Sequence, residues 1–208
     1  KGWLTPREVA TGAALAFAGS AAALIYLSLE GGWPMLLGGV LCAAGAIFYT
    51  AGPVPLGYLG LGDILVLLIS GFGGVCGSTF AILHQLTPDA LLAGLAMGFL
   101  AAAILAVNNL RDRHTDVQAG KRTLVVRFGR RFGQLEYTVM VAGAFVIALL
   151  GWWLLPERRT GWLLPLAGLP LGVAELKAIW TEDGAALNPH LGKTALLGLV
   201  FALLLAAG

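Results

Sequence analysis

"PDALLAGLAMGFLAAAILAVNNLRDRHTD" occupies residues 88–116, and its reading decides the fold. From Pro88 to Val107 the only charged residue is Asp89. A membrane-spanning helix needs roughly 20 mostly apolar residues, so 88–107 reads as one span. The chain then changes character. Residues 108–131, "NNLRDRHTDVQAGKRTLVVRFGRR", hold nine formal charges in 24 positions, although charged residues are only 12% of the chain. A greasy helix that runs into a charged mouth is the element around which the rest is arranged.

Outward from it, similar apolar runs recur on both sides. We read seven spans, about 8–28, 34–51, 62–84, 88–107, 134–155, 161–180 and 191–207. The 208 residues are 58% hydrophobic, with a mean hydropathy of +0.85. Soluble domains carry about 25% charged residues, so this composition belongs to a membrane protein. Short alternating segments of a spanning β-barrel are absent. Helices satisfy their own backbone hydrogen bonds in lipid, which makes the expected fold an all-α, multi-pass transmembrane bundle forming a single domain over 1–208. Membrane lipid is an expected partner and nucleic acid is not. Cys42 and Cys76 sit in apolar runs and read as buried core residues. "KGWLTPREV" at the start reads as a polar lead-in to a helix, not as a signal peptide.

Turn residues separate the spans: "EGGWP" at 30–34, "AGPVPLG" at 51–57, "QLTPD" at 85–89 and "PERRTG" at 156–161. Thr5 before Pro6 and Thr87 before Pro88 read as helix caps followed by proline in the first turn. Alternating through seven spans puts eleven Lys and Arg residues on the side of Lys1 and two, Arg158 and Arg159, on the other. The positive-inside rule then makes the first side cytoplasmic and places the C-terminus outside. Trp33, Trp152, Trp153, Trp162 and Trp180 fall near span ends and read as interfacial anchors. His84 and His190 read as structural, His190 in a cytoplasmic loop. The same alternation puts "YTAGPVPLGYLGLGD" (49–63) and 108–131 at one membrane face, so the two richest polar segments can share a site.

Asp112 and Asp116 stand at i and i+4, on one helix face with Cβ atoms about 5–6 Å apart. Like charges so placed repel, and the pair makes sense beside something positive. Oxygen ligands suit Mg²⁺, which takes one or two carboxylates, keeps waters and binds substrate phosphates. Asn108 is i−4 from Asp112 and extends that face; Asn109 adjoins it. Arg111, Arg113, Lys121, Arg122 and Arg127 surround the pair and supply phosphate-binding cations. Gly120 permits a turn that brings Lys121 and Arg122 back over the site. The alternative is that basic residues merely obey the topology rule and the acids balance them. DxxxD alone does not separate the two readings.

Taken whole, "NNLRDRHTDVQAGKRTLVVRFG" closely resembles the second aspartate motif of UbiA-type intramembrane prenyltransferases, in the form NN-x-RD-x3-D-x3-GK-x-TL-x-VR-x-G. It is most similar to the 1,4-dihydroxy-2-naphthoate polyprenyltransferases of menaquinone synthesis. "YTAGPVPLGYLGLGD" resembles a loop of the same subfamily. The resemblance covers essentially the whole chain, from the family's third helix to its ninth. It implies a Mg²⁺-dependent enzyme that transfers a polyprenyl group from polyprenyl diphosphate to 1,4-dihydroxy-2-naphthoate. Diphosphate and CO2 are released and demethylmenaquinone forms. By motif match, Asp112 and Asp116 hold Mg²⁺ and are catalytic, while Asn108, Asn109, Arg111, Lys121 and Arg122 support the diphosphate. The expected location is the bacterial cytoplasmic membrane.

The family's first motif, N-D-x3-D-x3-D, is not in these 208 residues. The resemblance therefore implies two further helices and the other half of the metal site ahead of Lys1. Tyr49, Tyr58 and Asp63 are candidates for the aromatic acceptor; interface anchoring and a structural cap are their other readings. Gly71, Gly73, Gly74 and Gly77 read as close-packing positions. Other acceptors of the same family, 4-hydroxybenzoate or homogentisate, remain open. A transporter or structural membrane subunit is the reading from another class; a transporter should show inverted repeats or broken helices at the midplane, and the charge gathered at one mouth counts against transport.

Overall fold

The computed structural model describes residues 3–50, 55–155 and 160–208. Lys1, Arg158, Arg159 and positions 51–54 of the first polar loop lie outside the described residues. Among the described residues there is helix and no strand. Six helices among the described residues are long and apolar enough to cross a membrane. The protein is an integral membrane protein.

Helix α1 runs Pro6–Thr50, broken at Gly32 (φ 71°, ψ −163°), and Pro34 follows in its second half. The positive φ suits a residue without Cβ. The break is a reversal: Gly39 lies directly against the Leu24 side chain. An unbroken helix would hold residues 15 apart at about 22 Å. Thr5 opens α1 as a reciprocal cap, its backbone N–H donating to Glu8 Oε2 at 2.7 Å while its hydroxyl accepts from the Glu8 N–H at 3.2 Å. Of α1 only Met35 is buried, which leaves both halves at the periphery.

A 3₁₀ turn, Leu56–Leu59, leads into α2 (Gly62–Val66). A π-helical stretch, Leu67–Cys76, then joins α2 to α3 (Gly77–Leu83). Beside it runs α4 (Pro88–Gln118), capped by the Thr87 hydroxyl accepting from Ala90 N–H at 3.2 Å. The small residues read in 71–77 work as expected at Gly71, where a Cβ would sit 2.7 Å from Gly98 Cα. The backbones of the π stretch and α4 therefore touch. Cys42 is half-buried and Cys76 buried, its thiol donating to the Ala90 carbonyl at 3.3 Å.

The core lies where α4 meets α6 (Arg130–Leu154) and α8 (Asn188–Ala207). Ala96, Ala103 and Ala106 are fully buried there, with Tyr137, Val141, Ala144, Leu197 and Phe201 around them. Between α6 and α8 come a 3₁₀ segment, Thr160–Gly168, and α7 (Leu169–Thr181). The long α4 is the axis of the bundle.

Three sequence readings change. Helix α4 does not end with its apolar run but continues through the charged motif to Gln118. At 31 residues it is about 46 Å long, more than the ~30 Å hydrocarbon core, so its last turns project at one mouth. Trp162 is no interfacial anchor: it is 4% exposed, packed on Gly151, with its indole N–H 3.5 Å from Asp89 Oδ1. His190 is not in a loop but in the first turn of α8, buried against α7. Its ring nitrogens lie 2.6 Å from Glu175 Oε2 and 3.1 Å from Glu182 Oε2. Pairing these groups inside the bundle removes the cost of burying them singly.

Candidate active site

The site is built on the projecting end of α4. The helix period puts Asn108, Asp112 and Asp116 along one face. Arg111 is adjacent to Asp112 in sequence, and neighbouring helix positions point about 100° apart. Its long side chain nevertheless wraps round to grip Asp112 with both ends of the fork, Nε to Oδ1 at 2.7 Å and Nη2 to Oδ2 at 2.5 Å. The same Nη2 donates to Asn108 Oδ1 at 2.8 Å, and Nη1 donates to Asn188 Oδ1 on α8 at 3.3 Å. Arg111 is thus aimed from two sides.

Asp116 is buried, and its partner arrives from the loop beyond the helix. Gly120 (φ +71°) lets the chain turn back, and Lys121 N–H donates to the Asp116 carbonyl at 2.9 Å. Lys121 Nζ then sits 2.8 Å from Asp116 Oδ1, and the Asp116 carboxylate raises the lysine's pKa. The same ammonium lies over the Tyr58 ring, 5.6 Å from its centroid.

The two polar segments read as neighbours do meet. Arg122 N–H donates to the Tyr58 carbonyl at 2.7 Å. Tyr49, in the last turn of α1, lays its ring on Gly57 and Gly62, where a Cβ would stand 3.2 and 3.3 Å from ring carbons. Asp63, 4% exposed in α2, accepts a long 3.5 Å hydrogen bond from the Asn109 amide. Asn109 therefore faces Asp63, while Asn108 belongs to the Arg111–Asp112 group. The Arg122 side chain is exposed.

Arg113 does not join the site. Asp183, in the α7–α8 connector, takes it bidentately, and the arginine holds that carboxyl down to about 2. Arg127 is exposed on the short helix α5 (Leu124–Phe128). Sequence reasoning missed Glu136, half-buried on α6 within electrostatic reach of Asp63. It also passed over Glu175, the buried partner of His190. Both are ionisable residues inside apolar runs, which is a signal legible without a structure.

Among the described residues, no three His, Cys, Asp or Glu side chains are grouped to hold a metal by themselves. The donors at the mouth are Asp112, Asp116 and the Asn108 amide oxygen, all hard oxygens. That set fits Mg²⁺, an ion that completes its shell with water and phosphate oxygens.

These features define a class: a helical membrane protein with a charged mouth where carboxylates pair with arginine and lysine above an apolar body. The UbiA prenyltransferase family model matches residues 1–197, and the chain belongs to that family. It is 40% identical over 176 residues to the 1,4-dihydroxy-2-naphthoate octaprenyltransferase of Escherichia coli (strain K12), covering 84% of this chain and 56% of that protein. The protein of that name from Haemophilus influenzae is 33% identical over 82% of this chain and 55% of its own length. The one from Mycobacterium tuberculosis is 33% identical over 97% of this chain and 68% of its own. The chain thus spans little more than half the length of the first two relatives. No solved structure matches it.

Proposed function

We propose that the whole protein transfers a polyprenyl group from polyprenyl diphosphate to 1,4-dihydroxy-2-naphthoate, releasing diphosphate and CO2 and forming demethylmenaquinone in its reduced, quinol form. The observation that carries this reading is the Asp112–Asp116 face, with Arg111 and Lys121 folded onto it beside the 55–63 segment. The names of the relatives supply the acceptor and the prenyl donor class.

Asp112, Asp116 and Asn108 would hold Mg²⁺, which would supply positive charge to a departing diphosphate. The protein's own residues do the rest. Arg111 and Lys121 are already at the mouth, their carboxylate partners one and five positions away in the chain, and Arg111 also donates to the Asn108 and Asn188 amide oxygens. They transfer to phosphate oxygens without moving a helix, and fixed cations there stabilise the charge that develops on the leaving group. Below the mouth an apolar cleft of about 290 Å³ begins at Tyr49 and runs between Gly45, Ala46, Leu65 and Ile69. It suits an isoprenoid chain and keeps water from an allylic cation. Tyr49, Tyr58 and Asp63 border the acceptor. The site faces the cytoplasm from a bacterial cytoplasmic membrane, by the distribution of Lys and Arg.

The test is a product assay on the whole protein in membranes, with Mg²⁺, a polyprenyl diphosphate and each of dihydroxynaphthoate, 4-hydroxybenzoate and homogentisate. Prenylated naphthoquinol and CO2 are expected from the first alone, and EDTA should stop the reaction. Turnover of another acceptor only, or an EDTA-insensitive rate, overturns the reading.

A further inference from the structure

Glu136 is a carboxylate that the site as described does not use. It lies within the span Arg130–Leu154, two turns from the start of α6. Its Oε2 atom is buried and has no hydrogen-bond partner among the described residues. An ionisable group in a span is costly and marks a function when nothing in the protein satisfies it. Polar atoms buried in native structures are otherwise almost always paired.

Its position on the helix says where it looks. The lipid-facing side of α6 carries exposed Arg131, Leu135, Val139 and Val146. Glu136 instead heads a stripe with Met140 and Gly143, at i, i+4 and i+7. Gly143 sits against the Phe99 ring of α4, where a Cβ would be 3.1 Å from it. One turn before, Gly133 packs on Leu110 and Val125. The stripe therefore runs down the α4 flank of the helix, on the Asp63 side. Asp63 already takes the Asn109 amide. The unmet acceptor is Glu136, at the polar end of an apolar wall of Met140 and Phe99.

What fits is a flat apolar ring carrying a neutral hydroxyl donor. We infer that Glu136 binds the aromatic acceptor, its Oε2 accepting a hydrogen bond from a ring hydroxyl. In dihydroxynaphthoate the hydroxyl beside the carboxylate is engaged by that carboxylate. The one across the ring is the free donor, and Glu136 takes it. This rests on the function proposed above and assigns that site a specificity-determining residue.

The test is steady-state kinetics on the whole protein in membranes, comparing wild type with Glu136→Leu and Glu136→Gln. In Glu136→Leu, KM for 1,4-dihydroxy-2-naphthoate should rise about 10- to 100-fold, the worth of a hydrogen bond to a charged group. KM for the prenyl diphosphate should not move. As inhibitor, 1-hydroxy-2-naphthoate lacks the second hydroxyl, so its Ki should be the same in wild type and Glu136→Leu. Glu136→Gln keeps a carbonyl acceptor and should fall between. Thermal stability of Glu136→Leu should hold or rise, because an unpaired buried carboxylate is removed. An unchanged naphthoate KM in the leucine variant, equal shifts in both KM values, or lost stability would overturn the assignment. Wild type inactive with dihydroxynaphthoate but active with another acceptor would sink the proposed function itself, and this inference with it.

Discussion

Two clusters of charge share one mouth of the bundle and are wired differently. In the first, Asp112 is bound by Arg111 and Asp116 by Lys121, partners one and five positions away. In the second, Arg113 is bound by Asp183 and His190 by Glu175, 70 and 15 positions apart. Gln134 adds a hydrogen bond from α6 to the Ile179 carbonyl at 2.9 Å, and Arg130 donates to the Glu182 carbonyl at 2.8 Å. The second cluster ties α4, α6, α7 and α8 together, so its bonds break only if helices part. The first ties no helix to another through its carboxylates, and its cations can change partner at little structural cost. Both clusters pair basic with acidic side chains. Sequence distance between partners separates charges that hold the fold from charges free to meet a ligand.

The contrast breaks most visibly at the aspartates. Asp112→Ala or Asp116→Ala should cut turnover by about 10³-fold, at the upper end for losing one electrostatic element of a site. Thermal unfolding of the variants in detergent should match wild type. Near-normal turnover would remove the metal and diphosphate assignment. In the other cluster the effects reverse. His190→Leu strands Glu175, 2% exposed, without its partner, at a cost of about 3 kcal/mol. The unfolding midpoint should drop while both KM values of the remaining folded enzyme stay put. An unchanged midpoint would show that the His190 group is not a fastener.

Two smaller effects sharpen the boundary. Lys121→Ala should raise KM for the prenyl diphosphate about tenfold, one charge-assisted hydrogen bond. A shift confined to the aromatic acceptor would move Lys121 to the other half of the site. Asp183→Asn should cost less than about 1 kcal/mol, since the Asp183 carboxylate is exposed to water that screens the pair. Arg113 lowers the Asp183 carboxyl to about 2 in the folded protein. The unfolded carboxyl titrates near ~3.9, so the pair stabilises above that pH and fades as pH falls toward 2. Wild type should lose its small advantage over Asp183→Asn in that window, read as the difference between their unfolding midpoints. A constant difference would place the effect elsewhere.

Much of the architecture is legible because lipid leaves the backbone few options. The apolar run 88–107, the caps at Thr5 and Thr87 and the turn at Gly120 follow from local chemistry, and the structure has each. The meeting of Tyr58 with Arg122 was legible as well, because alternation across a membrane puts both segments at one face. The misreadings have a common cause. Trp162 and His190 lie near span ends in the sequence, but whether a side chain near an end faces lipid, water or another helix depends on that other helix. Arg113 differs from Arg111 only in its angle on α4, and that angle turns it to Asp183. Glu136 and Glu175 carried a sequence signal, charge within a span, that was outweighed by the apolar residues around them.

The order of residues by itself settles that this chain is helical, crosses a membrane and concentrates charge in one stretch, 108–131. Each of these depends only on interactions with solvent or with neighbours a few positions away. Tertiary structure alone decided that Arg113 holds Asp183 and His190 holds Glu175, and that Glu136 keeps an oxygen unsatisfied among the described residues. Those outcomes depend on how helices far apart in sequence are rotated against one another, and a hydrogen bond that is made or lost within an ångström has no one-dimensional trace.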